Sequence, residues 1–225
     1  MTEALPTASA AICDRVRDDI VAGNLSFGSR LTLDLLAARY AVGHMPVREA
    51  LRQLQGEGLV VLTPNRGARV RAVDVEFVRN VFDLRITIEA MLARRAAERI
   101  EAGQVARLEA LEGELEAAAA RRDYASLLAL NRRFHSAINE VAHNDEAEAV
   151  LDRHRRLIAA LWTLYGYGED RAAGVVSDHR YIIAALASHD GDAAASLAMA
   201  HAAKAKQALI ARMLAAQSVR APAAA

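Results

Sequence analysis

The fold of the N-terminal third is decided by one stretch, residues 36–54, which reads LAARYAVGHMPVREALRQL. On both sides of a short turn at Gly43, apolar residues recur at i, i+3, i+4 and i+7, which predicts two amphipathic helices. Thr32 is suited to cap the first helix, and Pro46 fits the first turn of the second, where a missing N–H leaves no hydrogen bond unmade. The stretch therefore predicts a helix-turn-helix. Its predicted buried positions are Leu33, Leu36, Ala37 and Tyr40 in the first helix, and Val47, Ala50, Leu51 and Leu54 in the second.

The flanking segments complete a small domain around this motif. Ile12, Val16 and Ile20 recur at helical spacing and predict a preceding helix. After the motif, the β-rich run 59–63, a turn at 64–67 and the alternating run 68–71 predict a hairpin, with Arg69 and Arg71 pointing outward. The order of elements predicts a winged helix-turn-helix over residues 1–73.

The rest of the chain, residues 74–225, predicts an all-helical bundle. From Asn65 to Ala221 the sequence contains no proline and is rich in alanine, leucine, arginine and glutamate, which are good helix formers. The fold class is therefore mainly α. The predicted helices cover approximately 75–100, 104–122, 123–142, 146–164, 177–188 and 192–217, with a loop at 166–170.

Composition excludes several classes of protein. The chain has 225 residues, no net charge, 25% charged and 53% hydrophobic residues, which is typical of a globular protein rather than a disordered one. A single cysteine, Cys13, excludes a disulfide framework and a cysteine-based zinc site. The sequence has no apolar run of membrane-spanning length, and Met1–Ala10 lacks the basic residues of a signal peptide. We therefore expect a cytoplasmic protein with no membrane partner.

A basic surface is predicted on the winged helix. Between Asn24 and Arg71, seven arginines stand against three acidic residues. Arg48 and Arg52 lie one turn apart on the face opposite the buried stripe, where they either contact a DNA groove or form a solvated helix face. Arginine favours the first alternative because its planar fork binds guanine edges and phosphates bidentately. The candidate DNA contacts from this pattern are Arg30, Arg48, Arg52, Asn65, Arg66 and Gly67.

The stretch 36–54, with its core Pro46–Leu51, resembles the helix-turn-helix of the GntR superfamily, as do residues 56–60 and 65–68. The resemblance implies a bacterial transcription regulator that binds a palindromic operator as a homodimer and is more often a repressor. Arg48 matches a DNA-contacting arginine of that family. Family members usually carry Ser-Arg-Thr where this chain has Gly43-His44-Met45, so His44 and Met45 take positions that contact bases, and the operator sequence does not carry over.

Three histidines on apolar helix faces form a candidate metal site. Burial of His135, His179 and His201 would favour the neutral imidazole, which is the form that binds a metal, and helix bundles build metal sites from facing helices. Asn131, one turn before His135, would add an amide oxygen, which is a weaker ligand than a carboxylate. The alternative for each histidine is an ordinary hydrogen-bonded core residue.

From Val75 onward the chain resembles the FCD effector domain of FadR-type GntR regulators. That domain often carries Asp-x-x-x-His on one helix, matched here by residues 131–135, and two further histidines, matched by His179 and His201. The resemblance implies a bound divalent metal ion (zinc, nickel or manganese) and a small carboxylate effector. Asn131 replaces the common aspartate and removes one negative charge, so we expect weaker metal binding and stronger attraction for an anionic ligand.

Arg85 is a second candidate for binding the effector. It lies on a mostly apolar helix face, where it either pairs with Glu89 one turn on or awaits a ligand carboxylate. The family often has an arginine at this place, which favours the ligand.

Two other functions remain as alternatives to a regulator. Three histidine ligands and an open coordination position are also typical of metal-dependent hydrolytic enzymes, although the sequence shows no obvious general base beside the histidines. Some winged helices bind protein rather than DNA. Neither alternative accounts for the whole pattern from Pro46 to Gly67, so we expect a regulator and not an enzyme.

Overall fold

The computed structural model describes residues 8–63 and 67–220, and nine helices and three strands follow one another in these ranges. The chain divides into two compact units. One runs up to Asp74 and also contains Asp152–Leu164, and the other comprises Val75–Leu151 and the chain from Tyr165 onward. The sequence placed Asp152–Leu164 in the helical domain, and the boundary near residue 73 stays a prediction. None of the described helices is long and apolar enough to cross a bilayer.

The first unit contains the winged helix-turn-helix. Its elements are α1 (Ala8–Val21), β1 (Arg30–Leu31), α2 (Leu33–Tyr40), α3 (His44–Gly56), β2 (Val60–Thr63) and β3 (Gly67–Val70). The strands form an antiparallel sheet in the order β1-β3-β2, with Arg30 opposite Arg69 and Val60 opposite Val70. β1 was not predicted, because two residues are too short to show a period.

A side-chain cap and buried residues stabilise the helix-turn-helix of α2 and α3. The Thr32 hydroxyl accepts a hydrogen bond from the Leu35 N–H at 3.1 Å, as the sequence predicted. Ala41 ends α2 in the left-handed conformation with φ of 55°. The four predicted core residues of α3 are all buried, whereas Leu33 and Ala37 of α2 are only half-buried.

The remaining helices are α4 (Val75–Ala97), α5 (Ala102–Ala120), α6 (Tyr124–Ala142), α7 (Asp145–Tyr165), α8 (Glu169–Ala187) and α9 (Gly191–Arg220). The predicted start of α8 at Ser177 was wrong by eight residues. Gly168 is its N-cap, and Glu169 and Asp170 lie in its first turn, where acidic side chains interact favourably with the helix dipole. Because α8 begins at Glu169, Arg171 lies within the helix, on its buried face.

Candidate metal centre and DNA-binding face

The three predicted histidines converge in the helical unit. His135 lies on α6, His179 on α8 and His201 on α9, and one ring nitrogen of each lies within 4.8 Å of the others. We call these three residues the histidine cluster. His179 and His201 are buried, at 0% and 3% exposure, and His135 is partly buried. Phe134 stacks on His179 with ring centroids 3.9 Å apart, which fixes the plane of that imidazole.

Two carboxylates orient the cluster. Nδ1 of His179 lies 2.8 Å from a carboxylate oxygen of Glu112 on α5, and Nδ1 of His201 lies 3.2 Å from one of Asp178 on α8. In the tautomer in which Nδ1 carries the proton and donates it to the neighbouring carboxyl oxygen, Nε2 carries the free lone pair. Nε2 of His179 is buried without a hydrogen-bond partner among the described residues. This is the arrangement of a ligand histidine held by a carboxylate.

Burial keeps all three imidazoles neutral. It lowers the pKa of His135 to about 3, and it also lowers the pKa of His179 and of His201 below the ordinary imidazole value. Neutral imidazole is the form that coordinates a metal ion. Burial raises the pKa of the Glu112 carboxyl to about 8, with a further contribution from the charge of Glu116.

Asn131 lies one turn before His135 on α6, as predicted. Its side-chain oxygen Oδ1 is buried and accepts no hydrogen bond from the described residues. An unused buried carbonyl oxygen costs free energy unless something satisfies it. The three histidines could hold a metal ion, and the unused oxygen of Asn131 lies on the same helix as His135.

Arg85 of α4 forms the ion pair that the sequence analysis named as its alternative role. Nη2 of Arg85 lies 2.6 Å from Oε1 of Glu89, and the charge of Arg85 holds the pKa of Glu89 below its usual range despite burial. The pair leaves Nε of Arg85 buried and without a hydrogen-bond acceptor among the described residues. The ion pair and a ligand role are therefore compatible.

Sequence reasoning missed four charged residues around the cluster: Glu112, Arg171, Asp178 and Lys204. Arg171 is 8% exposed, and its Nη1 lies 3.9 Å from the same Asp178 oxygen that faces His201. Lys204 donates to the other Asp178 oxygen. The spacing of Arg171 from Asp178, seven residues, was the available signal, since it places both on one face of a helix.

The outer face of α3 presents two unpaired arginines. Arg48 and Arg52 are exposed, as predicted, and form no ion pair with any described residue. Other arginines of this unit are used internally: Arg17 binds Glu57, and Arg39 binds Asp19 at 2.7 Å. Arg48 and Arg52 therefore remain free to bind an external anion.

The other predicted DNA contacts are distributed around α3. His44 and Met45 are exposed at its start, and Nε2 of His44 lies 3.0 Å from Asp34 of α2. Arg30 is exposed on β1, and Gly67 begins β3 with φ of +82°, a conformation that favours glycine. Asn65 and Arg66 lie outside the described residues.

The prediction that Arg71 points outward was wrong. It is half-buried, and its Nε donates to the carbonyl oxygen of Gly58. Arg71 follows β3 rather than lying within it, so the alternation of the strand does not extend to it. Arg69 is exposed, and its Nη1 lies 3.1 Å from the carbonyl oxygen of Gly28.

Comparison with known proteins finds one known family for the N-terminal part of the chain and one for the helical part. The FCD domain matches residues 80–204, and the bacterial regulatory proteins of the gntR family match residues 8–70. The transcriptional repressor RspR of Escherichia coli is 29% identical over 181 residues, covering 79% of this chain and 78% of RspR. The repressor GlaR of the same species is 39% identical over 84 residues, 37% of this chain and 38% of GlaR.

Solved structures share the fold. Escherichia coli McbR/YncC aligns over 95% of this chain and 100% of its own with a TM-score of 0.67 and 22% identity. A GntR regulator from a Rhodococcus species aligns over 92% of this chain and 99% of its own, with a TM-score of 0.68 and 20% identity. With the FCD match spanning more than half of the sequence, the chain belongs to the GntR family of bacterial transcription regulators, in the group that carries an FCD domain.

Proposed function

We propose that this regulator is a repressor that binds its operator through α3 and the wing, and that a small carboxylate bound at a metal ion on the histidine cluster releases it. The observation that carries the proposal is the convergence of three neutral imidazoles, two of them buried, in a unit that also contains an unused buried amide oxygen and a buried arginine donor. The family consists of transcription regulators, which sets aside the metal-dependent hydrolase.

The DNA-binding part rests on the free arginines of α3. Arg48 and Arg52 are one turn apart, so both side chains reach the same wall of a major groove when α3 lies in it. Arg30 of β1 and Gly67 of β3 lie in the sheet, where they suit contacts to the phosphate backbone. His44 and Met45 occupy the start of the helix, where base edges are contacted. Several arginines give an affinity that falls steeply with salt.

The sensing part rests on the ligand set. Three imidazoles and the Asn131 amide are all uncharged, so a divalent ion here, zinc, nickel or manganese, retains its full charge. A bound divalent ion would attract a carboxylate to an open coordination position. Arg85 is placed to bind that carboxylate through its free Nε–H.

Homodimerisation is the remaining element of the proposal. It is supported by the family and by the two-fold symmetry of palindromic operators, which places two recognition helices in successive major grooves. RspR and GlaR are named as repressors, which supports repression here as well. A regulator of chromosomal genes would act in the cytoplasm. Sedimentation of the purified protein tests the dimer.

Selection of genomic DNA fragments on the purified protein tests the DNA-binding proposal. We expect enrichment of a palindrome by the wild type and its loss with Arg48→Ala, because one base-edge contact contributes about 1–3 kcal/mol. Arg107→Ala is the matched control, since Arg107 is an exposed arginine of α5 that pairs with Glu140. Equal enrichment by all three proteins would reject α3 as the recognition helix.

Metal analysis tests the cluster separately. We expect His179→Ala to reduce bound metal severalfold after dialysis. His189→Asn is the control, because His189 is exposed at φ of 55°, a conformation that asparagine tolerates. Unchanged metal content in His179→Ala would show that the histidines are ordinary hydrogen-bonded core residues and not metal ligands.

A further inference from the structure

The exposed face of α3 has a mixed chemical character. One stripe along it, at i, i+3, i+4 and i+7, consists of four exposed residues: Met45, Arg48, Glu49 and Arg52. The stripe thus presents an apolar, a basic, an acidic and a second basic side chain in turn. A phosphate would be repelled by the acidic side chain and would gain little from the apolar one. Base edges in the major groove present donors, acceptors and methyl groups, so the stripe suits base edges better than phosphates.

Met45 begins this stripe and does not pack into its own unit. It is 64% exposed, as much as any large apolar residue in the described part of the chain. Gly43, the N-cap of α3, has no side chain, and apart from its chain neighbours no described residue has an atom within 4 Å of the place that a Cβ would take. The space beside the first turn of α3 is therefore open to a ligand that approaches this end of the helix.

His44, the other exposed residue at the start of α3, is held by α2. Nε2 of His44 lies 3.0 Å from a carboxylate oxygen of Asp34. Guanine presents only hydrogen-bond acceptors, N7 and O6, in the major groove. The negative charge beside the imidazole therefore disfavours guanine at this end of α3 and leaves it suited to another base.

A methionine side chain matches one feature of one base. Thymine carries a methyl group at C5 in the major groove, and apolar contact with that group distinguishes thymine from cytosine. Methionine is unbranched and has a polarizable sulfur, so it adapts to such a group. On a helix, the Cβ atoms of residues i and i+3 lie about 5–6 Å apart, and stacked base pairs lie about 3.4 Å apart. A base that Met45 contacts therefore lies one or two base pairs from the base that Arg48 contacts.

We propose that Met45 reads a thymine in each operator half-site through its C5-methyl group, one or two base pairs from the base that Arg48 contacts. The inference rests on the proposed function, because it assumes that α3 lies in the major groove. It makes Met45 a specificity-determining residue whose contribution is apolar. Salt weakens the arginine contacts and leaves this contribution unchanged.

Operators that contain 2′-deoxyuridine test this assignment, because uracil differs from thymine only by lacking the methyl group. Each thymine of the selected operator is replaced in turn, in both half-sites, and binding of the full-length protein is measured by fluorescence anisotropy. We expect one position at which the loss of the methyl group weakens wild-type binding about fourfold per half-site, which is the contribution of one buried methyl group. In Met45→Ala the two operators should bind within about 1.5-fold of each other.

Two variants and one change of conditions serve as controls. Met45→Leu keeps an apolar side chain and should retain part of the sensitivity to the methyl group. Leu35→Ala removes an exposed apolar side chain of α2 and should keep the full sensitivity at that thymine. Between about 50 and 200 mM salt the affinity for both operators should fall steeply, whereas the ratio of the two affinities should stay constant. The melting temperature of each variant is measured as a check of folding.

The contrary results are distinct. A wild type that tolerates uracil at every thymine, or a sensitivity as large in Met45→Ala as in the wild type, would overturn the assignment of Met45. In either case α3 would remain the recognition helix if Arg48→Ala loses operator binding. Equal operator binding by Arg48→Ala, or selection that enriches no palindrome, would overturn the proposed recognition helix together with this inference.

Discussion

Replacing Glu112 by glutamine isolates the effect of the carboxylate on metal binding. Glu112 is 3% exposed. Its Oε2 lies 2.8 Å from Nδ1 of His179, and this is the contact by which Glu112 orients a ligand histidine. Removing an outer carboxylate that orients a ligand histidine costs about 10–100-fold in metal affinity. Glutamine keeps the volume and an acceptor oxygen and removes the charge. We therefore expect about tenfold weaker zinc binding, or about 1.4 kcal/mol.

Glu116→Gln is the matched control. Glu116 lies one turn further along α5 and binds Arg180 at 2.6 Å on the surface, so the same chemical change occurs on the same helix at a residue that bonds none of the three histidines. Zinc affinity is measured by competition with a chromogenic chelator, together with the melting temperature of each metal-free variant. Equal zinc affinities in the wild type and in both variants would refute the positioning role of Glu112.

Three other predictions concern stability. Because folding raises the pKa of Glu112 from 4.5 to about 8, the folded metal-free protein keeps this proton longer than the unfolded chain. Its melting temperature should therefore fall as the pH rises through this window, and a slope as steep in Glu112→Gln would contradict the assignment. Thr32→Ala removes the cap of α2 and should cost about 1 kcal/mol in urea unfolding, whereas Thr32→Ser should cost less. Leu54→Ala empties a fully buried position of α3 and should cost about 2–5 kcal/mol, a loss that the exposed Leu35→Ala should not reproduce.

The winged helix could be predicted from sequence because its signals are local. The recurrence of Val47, Ala50, Leu51 and Leu54 fixes the buried face of α3, and that choice places Arg48 on the opposite face without any tertiary information. The strand β1 could not be predicted, because two residues acquire strand geometry only by pairing with β3.

The candidate metal site, too, could be predicted from the sequence only in part. Each histidine could be found on an apolar face of its own helix, and the family resemblance grouped them. Their partners could not be found, because Glu112 and Arg171 are charged residues whose burial is decided by how α5 and α8 pack in three dimensions. The contact between Asp178 and His201 joins residues 23 positions apart on two helices, and no helical spacing encodes it.

In the proposed function, DNA binding is coupled to the histidine cluster. Its most direct test is the affinity for the selected operator, measured by fluorescence anisotropy for zinc-loaded wild type and for His179→Ala. Each is measured with and without the small carboxylic acid that binds the zinc-loaded wild type most tightly. We predict that the acid weakens operator binding of the wild type by about 5–150-fold, the usual range of an allosteric coupling. The same acid should leave His179→Ala unchanged. An equal response in both proteins, or none in the wild type, would contradict the account.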